Sequence, residues 1–214
     1  MRLATLFALA LSSTASGTPI TVPNGTTLVV DTATNATYDV RGSLDIRPGA
    51  EIFSVSNYSE GTGAVTMSGG RVDHGISINR GFFQATGGES HGVGSYADGL
   101  NVGRGQAEIS GGTFIGGDSS VQPGSGVTAS AGTWDGAAFL SQLTISGGTF
   151  IGGTGSGGYY GGDSGYSLLS IGNTTVTGGE FLGPIAINAA YGGVTSFYGT
   201  DLAYDAATHV LSGV

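Results

Sequence analysis

The residues most able to do chemistry in this chain are its acids. Asp73, Glu89, Asp98, Glu108, Asp118, Asp135 and Asp163 are scattered through the middle of the sequence. A glycoside hydrolase would need two of them roughly 5–10 Å apart, one as acid and one as base or nucleophile. A polysaccharide lyase would need carboxylates that hold Ca²⁺ and an Arg or Lys base. The densest grouping is Arg71-Val72-Asp73-His74-Gly75, with Arg80 about one short strand later. A lone Asp-His pair is more often a solvated turn than a dyad, and no second carboxylate sits beside it in sequence. The sequence therefore nominates no catalytic residue.

Other chemistries fail on residue type. Cys is absent, which removes disulfides, thiolate metal sites and a Cys nucleophile. Lys is absent and no helix pattern follows the Gly-rich stretches, so no phosphate-binding loop is encoded. Calcium-binding β-helix repeats carry a GGxGxDx(apolar)x nonapeptide in series. Here GGDSS at 116–120 and GGDSG at 161–165 stand alone, without the following apolar residue in register. Structural calcium stays open without a repeated motif to support it, and no other cofactor is indicated. Thr-x-Thr, the unit of ice-binding ladders, occurs at Thr32-Ala33-Thr34 and Thr175-Val176-Thr177 without regular repetition.

The residues with the best claim to contact a ligand lie in three insertions. These read HGVGSYADG at 91–99, GGDSSVQPGSGVTASAGTWDG at 116–136 and GGTGSGGYYGGDSGYS at 152–167. They carry Tyr96, Trp134, Tyr159, Tyr160 and Tyr166 beside Asp98, Asp135 and Asp163. Aromatic faces next to carboxylates can stack on sugar rings and bond their hydroxyls. The competing reading is that the rings fold back and cover the wall of the protein.

What positions these insertions is a repeat. The phrase appears as AVTMSGGRV at 64–72, FQATGGES at 83–90, AEISGGTFIGG at 107–117, LTISGGTFIGG at 143–153 and TVTGGEFLG at 175–183, with a weaker copy, TSFYGTDLAY, at 195–204. Short alternating segments precede the copies: Ile76-Ser77-Ile78, Leu100-Asn101-Val102, Leu169-Ser170-Ile171 and Ile185-Ala186-Ile187. Apolar residues alternate with polar ones at period two, the signature of strands. The first glycine of each corner falls at Gly69, Gly87, Gly111, Gly147 and Gly178, with Gly199 in the degenerate copy, in steps of 18, 24, 36, 31 and 21 residues. A coil of about twenty residues with insertions at one phase fits a parallel β-solenoid.

Stacking the copies predicts one inward column of Ile109, Ile145 and Val176 and a second of Phe114, Phe150 and Phe181. The Ser or Thr before each Gly-Gly is placed to bond the backbone of the turn. Residues 18–63 lack the Gly-Gly phrase but keep the alternation, in TTLVVD, ATYDV and GSLDIRPGAEIFSVS. They read as an N-terminal cap and first coils, ahead of the repeat solenoid at 64–214.

Composition bounds the partners. Gly makes up 43 of 214 residues, about three times its ordinary share of roughly 7%. Without Gly-X-Y spacing this is not collagen. Six basic against 15 acidic residues leave a net charge of -9, which opposes nucleic acid and anionic membranes. Residues 1–17 read as a signal peptide: Met1-Arg2, an apolar run from Leu3 to Leu11, then small residues with Ser13/Ala15 or Ala15/Gly17 at the cleavage positions. No later stretch reaches the ~18 apolar residues of a transmembrane segment. Asn24, Asn35, Asn57 and Asn173 open Asn-x-Ser/Thr sequons, which count only in a eukaryotic secretory pathway.

The ISGGTF copies and the ending Tyr198-Gly199, Leu202, Tyr204-Asp205 and Leu211-Ser212-Gly213 resemble secreted bacterial Gly-rich β-helix proteins, of the kind that often bear a PEP-CTERM sorting tail. The likeness covers roughly 64–214. The sequence departs from that pattern in having no Pro-Glu-Pro signal, apolar tail or basic end. The resemblance implies a role in the cell surface or extracellular matrix and brings no catalytic residues.

The expectation is an all-β, right-handed parallel β-helix of pectate-lyase-like architecture with about seven coils, the hand following from parallel crossovers in general. The expected function is that of a non-enzymatic, secreted or cell-surface structural or adhesive protein, touching polysaccharide or other matrix components through the loop-rich edge. The alternative is a β-helix carbohydrate-active enzyme, a lyase or hydrolase. A lectin-like glycan binder is a third reading.

Overall fold

The computed structural model describes residues 18–57, 63–92, 98–103, 105–116, 127–129, 132–133, 138–139, 142–151, 166–170, 173–182, 185–189, 194–200, 203–205 and 210–212. Within them the chain is all-β, without a helix. Two long sheets dominate, and in both every neighbouring pair of strands is parallel.

The first sheet runs in chain order through Ile20–Val22, Thr37–Val40, Ser54–Asn57, Ile76–Ile78, Leu100–Val102, Val127–Ala129, Tyr166–Ser170 and Ile185–Ala189. The second runs through Thr27–Val30, Ser43–Ile46, Ala64–Met67, Phe82–His91, Gln106–Ile115, Gln142–Ile151, Asn173–Leu182 and Val194–Phe197, with Glu51–Ile52 and Arg71–Val72 alongside. The chain thus alternates between the sheets, laying each new strand beside the previous one of the same sheet. This is a solenoid-like stack, and residues 18–63 form part of it.

Alternation at period two decides which side chains turn inward. In the second sheet one inward row runs Leu28, Leu44, Val65, Phe83, Ala107, Leu143, and the next runs Val30, Ile46, Met67, Ala85, Ile109, Ile145, Val176. A third row runs Ile52, Val72, Ser90, Phe114, Phe150, Phe181. The two predicted columns are therefore present. Phe114 and Phe150 stack with centroids 5.6 Å apart and planes 9° from parallel, and Phe150 and Phe181 follow at 5.0 Å and 16°.

The Gly-Gly corner does not end a strand. Four strands run ten residues straight through it: Phe82–His91, Gln106–Ile115, Gln142–Ile151 and Asn173–Leu182. The register slips at the corner between Phe82–His91 and its successor, and again between Gln142–Ile151 and Asn173–Leu182. The bend is a bulge inside a continuous strand, with the second glycine in the left-handed region.

The hydroxyl before the glycines also behaves differently from expectation. Ser68, Ser110, Ser146 and Thr177 donate to the carbonyls of Ile46, Ala85, Ile109 and Ile145, at 3.5, 3.3, 3.4 and 3.4 Å. Each acceptor belongs to the preceding strand, not to the residue's own turn. The side chain projects from the outward face and reaches back along the stacking direction, where that carbonyl lies nearest.

Ser90 is the polar member of the third inward row. It is fully buried, and its hydroxyl donates to the Gly99 carbonyl at 2.6 Å, pinning the return of the first insertion. Ser90→Ala removes this donor and leaves the Gly99 carbonyl with the Ile76 N–H as its partner. The expected cost is about 0.5–1.5 kcal/mol, read from the denaturant midpoint. Faster amide exchange at Leu100–Val102 should accompany it, and an unchanged midpoint would show the bond to be dispensable.

Candidate loop edge and ionic row

The three insertions leave the stack at one place. Their last strand residues, His91, Ile115 and Ile151, lie in register on neighbouring strands. Gly92 N–H donates to the Ile115 carbonyl at 2.7 Å, and Gly116 N–H donates to the Ile151 carbonyl at 2.8 Å, so the exits stack on one another. The chain re-enters the first sheet at Leu100, Val127 and Leu168, again in register. Segments 92–99, 116–126 and 152–165 therefore span the same gap between the two sheets on successive levels. The strand Val127–Ala129 divides the insertion expected at 116–136, so Trp134 and Asp135 fall in the return from the first sheet to Gln142–Ile151 of the second.

Of the predicted contact residues, Asp98 is described. Its carboxylate accepts from Asn101 Nδ2 at 3.3 Å. The next residue, Gly99, accepts at its carbonyl from Ile76 N–H at 3.1 Å. Asp98 thus sits where the first insertion is tied to the level below. Tyr166 begins a strand and pairs with Ile185. Tyr96, Trp134, Asp135, Tyr159, Tyr160 and Asp163 lie outside the described residues, as do the acids of GGDSS and GGDSG.

The Arg71-Asp73-His74 cluster resolves into pairs that do not converge. Arg71 Nε donates to Asp73 Oδ1 at 2.5 Å. That bond and the Asp73 charge, with Glu89 and Glu51 adding to them, push the guanidinium above its ordinary pKa. Glu51, Arg71 and Glu89 lie in register on three neighbouring strands, so the cation is set between two carboxylates. His91 Nε2 pairs with Glu89 Oε1. His74 turns away from Asp73 and stacks on the Phe53 ring at 3.9 Å. The result is an outward ionic row that satisfies itself.

Sequence reasoning had no means of finding this row. Glu51, Arg71 and Glu89 are eighteen or more residues apart, and only the strand register brings them level. Two more arginines repeat the short-range theme, with Arg41 on Asp39 at 3.3 Å and Arg47 on Asp45 at 2.7 Å. All three pairs are about half exposed on the arginine side, so each adds little to stability. Among the described residues no three His, Asp or Glu side chains are grouped to hold a metal ion.

The outward face of the second sheet is polar and sparsely charged. Thr66 Oγ1 donates to Asp45 Oδ1 at 3.1 Å, Gln84 Nε2 to Glu108 Oε2 at 3.4 Å, and Gln106 Nε2 to Gln142 Oε1 at 3.4 Å, each bond running from strand to strand. The sequons also separate. Asn24, Asn35 and Asn173 are exposed, whereas Asn57 is fully buried and donates to the Gly63 carbonyl at 3.2 Å. Asn57 is closed to glycosylation in the folded chain.

Fold and site together define an all-β protein of parallel strands stacked level on level, with three excursions leaving the second sheet at one register position. Compared with protein-family models, with curated proteins and with solved structures, the chain matches none.

Proposed function

We propose that this is a non-enzymatic structural or adhesive protein, exported to the cell surface or extracellular matrix after loss of residues 1–17. It acts as a rigid right-handed parallel β-helix of pectate-lyase-like architecture. Eight strands along each sheet path support about eight coils, one more than the seven expected from the sequence. The loop-rich edge contacts glycans through Tyr96, Tyr159, Tyr160 and Tyr166, with Asp98 and Asp163 as hydroxyl acceptors. This reading follows the resemblance to secreted bacterial Gly-rich β-helix proteins.

The observation that carries it is the common exit of the three insertions at His91, Ile115 and Ile151. On this reading the segments that carry Tyr96, Asp98, Tyr159, Tyr160 and Asp163 share that exit, while Trp134 and Asp135 come after Val127–Ala129 in the chain. Such a line of sites suits a long polymer, because weak contacts repeated along a rigid rod add up through effective concentration.

Glycan-array binding is the test. Tyr160→Ala is expected to reduce binding about tenfold, the loss of one stacked ring of roughly 1.4 kcal/mol. Binding unchanged by Tyr160→Ala removes that edge from the function. The enzyme alternative is tested with acidic polysaccharides, with and without Ca²⁺. No oligosaccharide release is expected, and release that vanishes in Asp73→Ala overturns the non-enzymatic reading.

A further inference from the structure

We propose that the molecule assembles head to tail, the last strand of each long sheet in one copy receiving the first strand of that sheet in the next, so that both sheets continue across the junction. The C-terminal strands Ala203–Asp205 and Val210–Ser212 pair antiparallel with each other and belong to neither long sheet. The partner is a second copy of this chain. The argument starts at the two ends of the stack. Among the described residues, Ile20–Val22 and Thr27–Val30 each pair on one side only, as do Ile185–Ala189 and Val194–Phe197 at the other end.

Open strand edges are templates for further strands, and proteins that must stay single blunt them with charge, proline or bulges. None of these four strands contains a charged residue or a proline: they read ITV, TLVV, IAINA and VTSF. The far end also carries exposed apolar residues, with Val194 56% and Tyr198 62% exposed, while Phe197 is partly buried against the core.

The two ends match in position as well as in character. The inward rows of the second sheet begin at Leu28 and Val30 and end at Thr195 and Phe197. A strand Thr27–Val30 laid on Val194–Phe197 places Leu28 beside Thr195 and Val30 beside Phe197, continuing both rows. In the first sheet the row that begins at Ile20 ends at Ile187, and the same addition joins them.

The backbone is ready for it. Tyr198 N–H donates to the Val176 carbonyl at 2.9 Å, so strand alternation turns the N–H and C=O groups of Thr195 and Phe197 toward the open side. At the other end the carbonyls of Thr26 and Val30 accept from Ser43 and Arg47, which leaves Thr27 and Val29 facing outward along the edge. The contact is heterologous and does not close, so it builds filaments. Repulsion between copies of charge -9 opposes it, and salt screens that repulsion.

Sedimentation of the purified chain tests the proposal. The weight-average mass is expected to rise with protein concentration and with salt. Val29→Pro and Thr195→Pro each remove an outward-facing edge N–H and should sediment as monomers alone. Mixed in equal amounts, they should form a dimer of about twice the monomer mass and nothing larger, because each supplies the end the other lacks. Val29→Lys and Ser196→Lys, with outward side chains, repeat the test without proline should either first variant fail to fold by circular dichroism. A wild type that stays monomeric throughout, edge variants that assemble fully, or a mixture that grows past the dimer would each overturn the inference. It stands apart from glycan contact, since a filament that ignores glycans sinks only the earlier reading.

Discussion

Phe150→Ala should lower the unfolding free energy by about 3–5 kcal/mol, seen as a fall in the denaturant midpoint. Phe150 is fully buried between the near-parallel rings of Phe114 and Phe181. Truncation deletes its own transfer free energy, opens a cavity, and strips one face from each neighbour. Aromatic stacking adds about 0.5–1.5 kcal/mol per pair beyond burial, and two pairs are lost here. Phe181 ends the aromatic column and is only partly buried, so Phe181→Ala should cost less. In a stacked array each level leans on its neighbours, and the damage should spread as faster amide exchange in both flanking strands. Equal losses at Phe150 and Phe181, or a loss below about 1 kcal/mol at Phe150, would mean that the column is not what holds the levels together.

Gly70→Ala is the second large effect, at roughly 2–5 kcal/mol. Gly70 has φ +76°, and a Cβ placed on it would lie 2.8 Å from the Arg47 carbonyl oxygen, 2.9 Å from Ala50 Cβ and 2.9 Å from the Ala50 carbonyl oxygen. These atoms belong to the level below, and two of them are backbone. No side-chain rotation relieves the contact, so the levels must move apart. Gly25 provides the control. Its φ is +75°, but nothing lies within 4 Å of its would-be Cβ. Gly25→Ala should cost only the left-handed strain of about 1–2 kcal/mol. The difference between the two variants measures the close approach of adjacent levels by itself. Matching losses would assign the whole requirement to backbone conformation.

Much of the second half of the fold was legible because its copies keep phase. The shared ISGGTFI put Ile109 over Ile145 and Phe114 over Phe150, and the register agrees. Less was legible where no phrase repeats. Nothing in the residues says that Thr27–Val30 pairs with Ser43–Ile46, or that Ile52, Val72 and Ser90 begin the row that Phe114, Phe150 and Phe181 complete. His74 illustrates the same limit at the candidate site. It follows Asp73 directly, yet its ring stacks on Phe53 from the level below.

The loop edge divides in the same way. That insertions share a phase could be read from the Gly-Gly-x-Phe corner preceding them. That their exits bond to one another, Gly92 to Ile115 and Gly116 to Ile151, could not. The ionic row of Glu51, Arg71 and Glu89 was invisible for the same reason, since each member belongs to a different level.

By itself, the sequence determined what a local pattern can encode: strands from period-two alternation, bends from paired glycines, an inward and an outward side for each segment, and an acidic surface without lysine or cysteine. Only the tertiary structure decided which segment lies on which, because parallel pairing joins residues as far apart as Gln106 and Gln142, 36 positions along the chain. A strand's own residues state which face is buried. Its neighbour is chosen by how inward side chains, corner carbonyls and insertions of unequal length fit across levels, and that choice exists only once the levels are stacked.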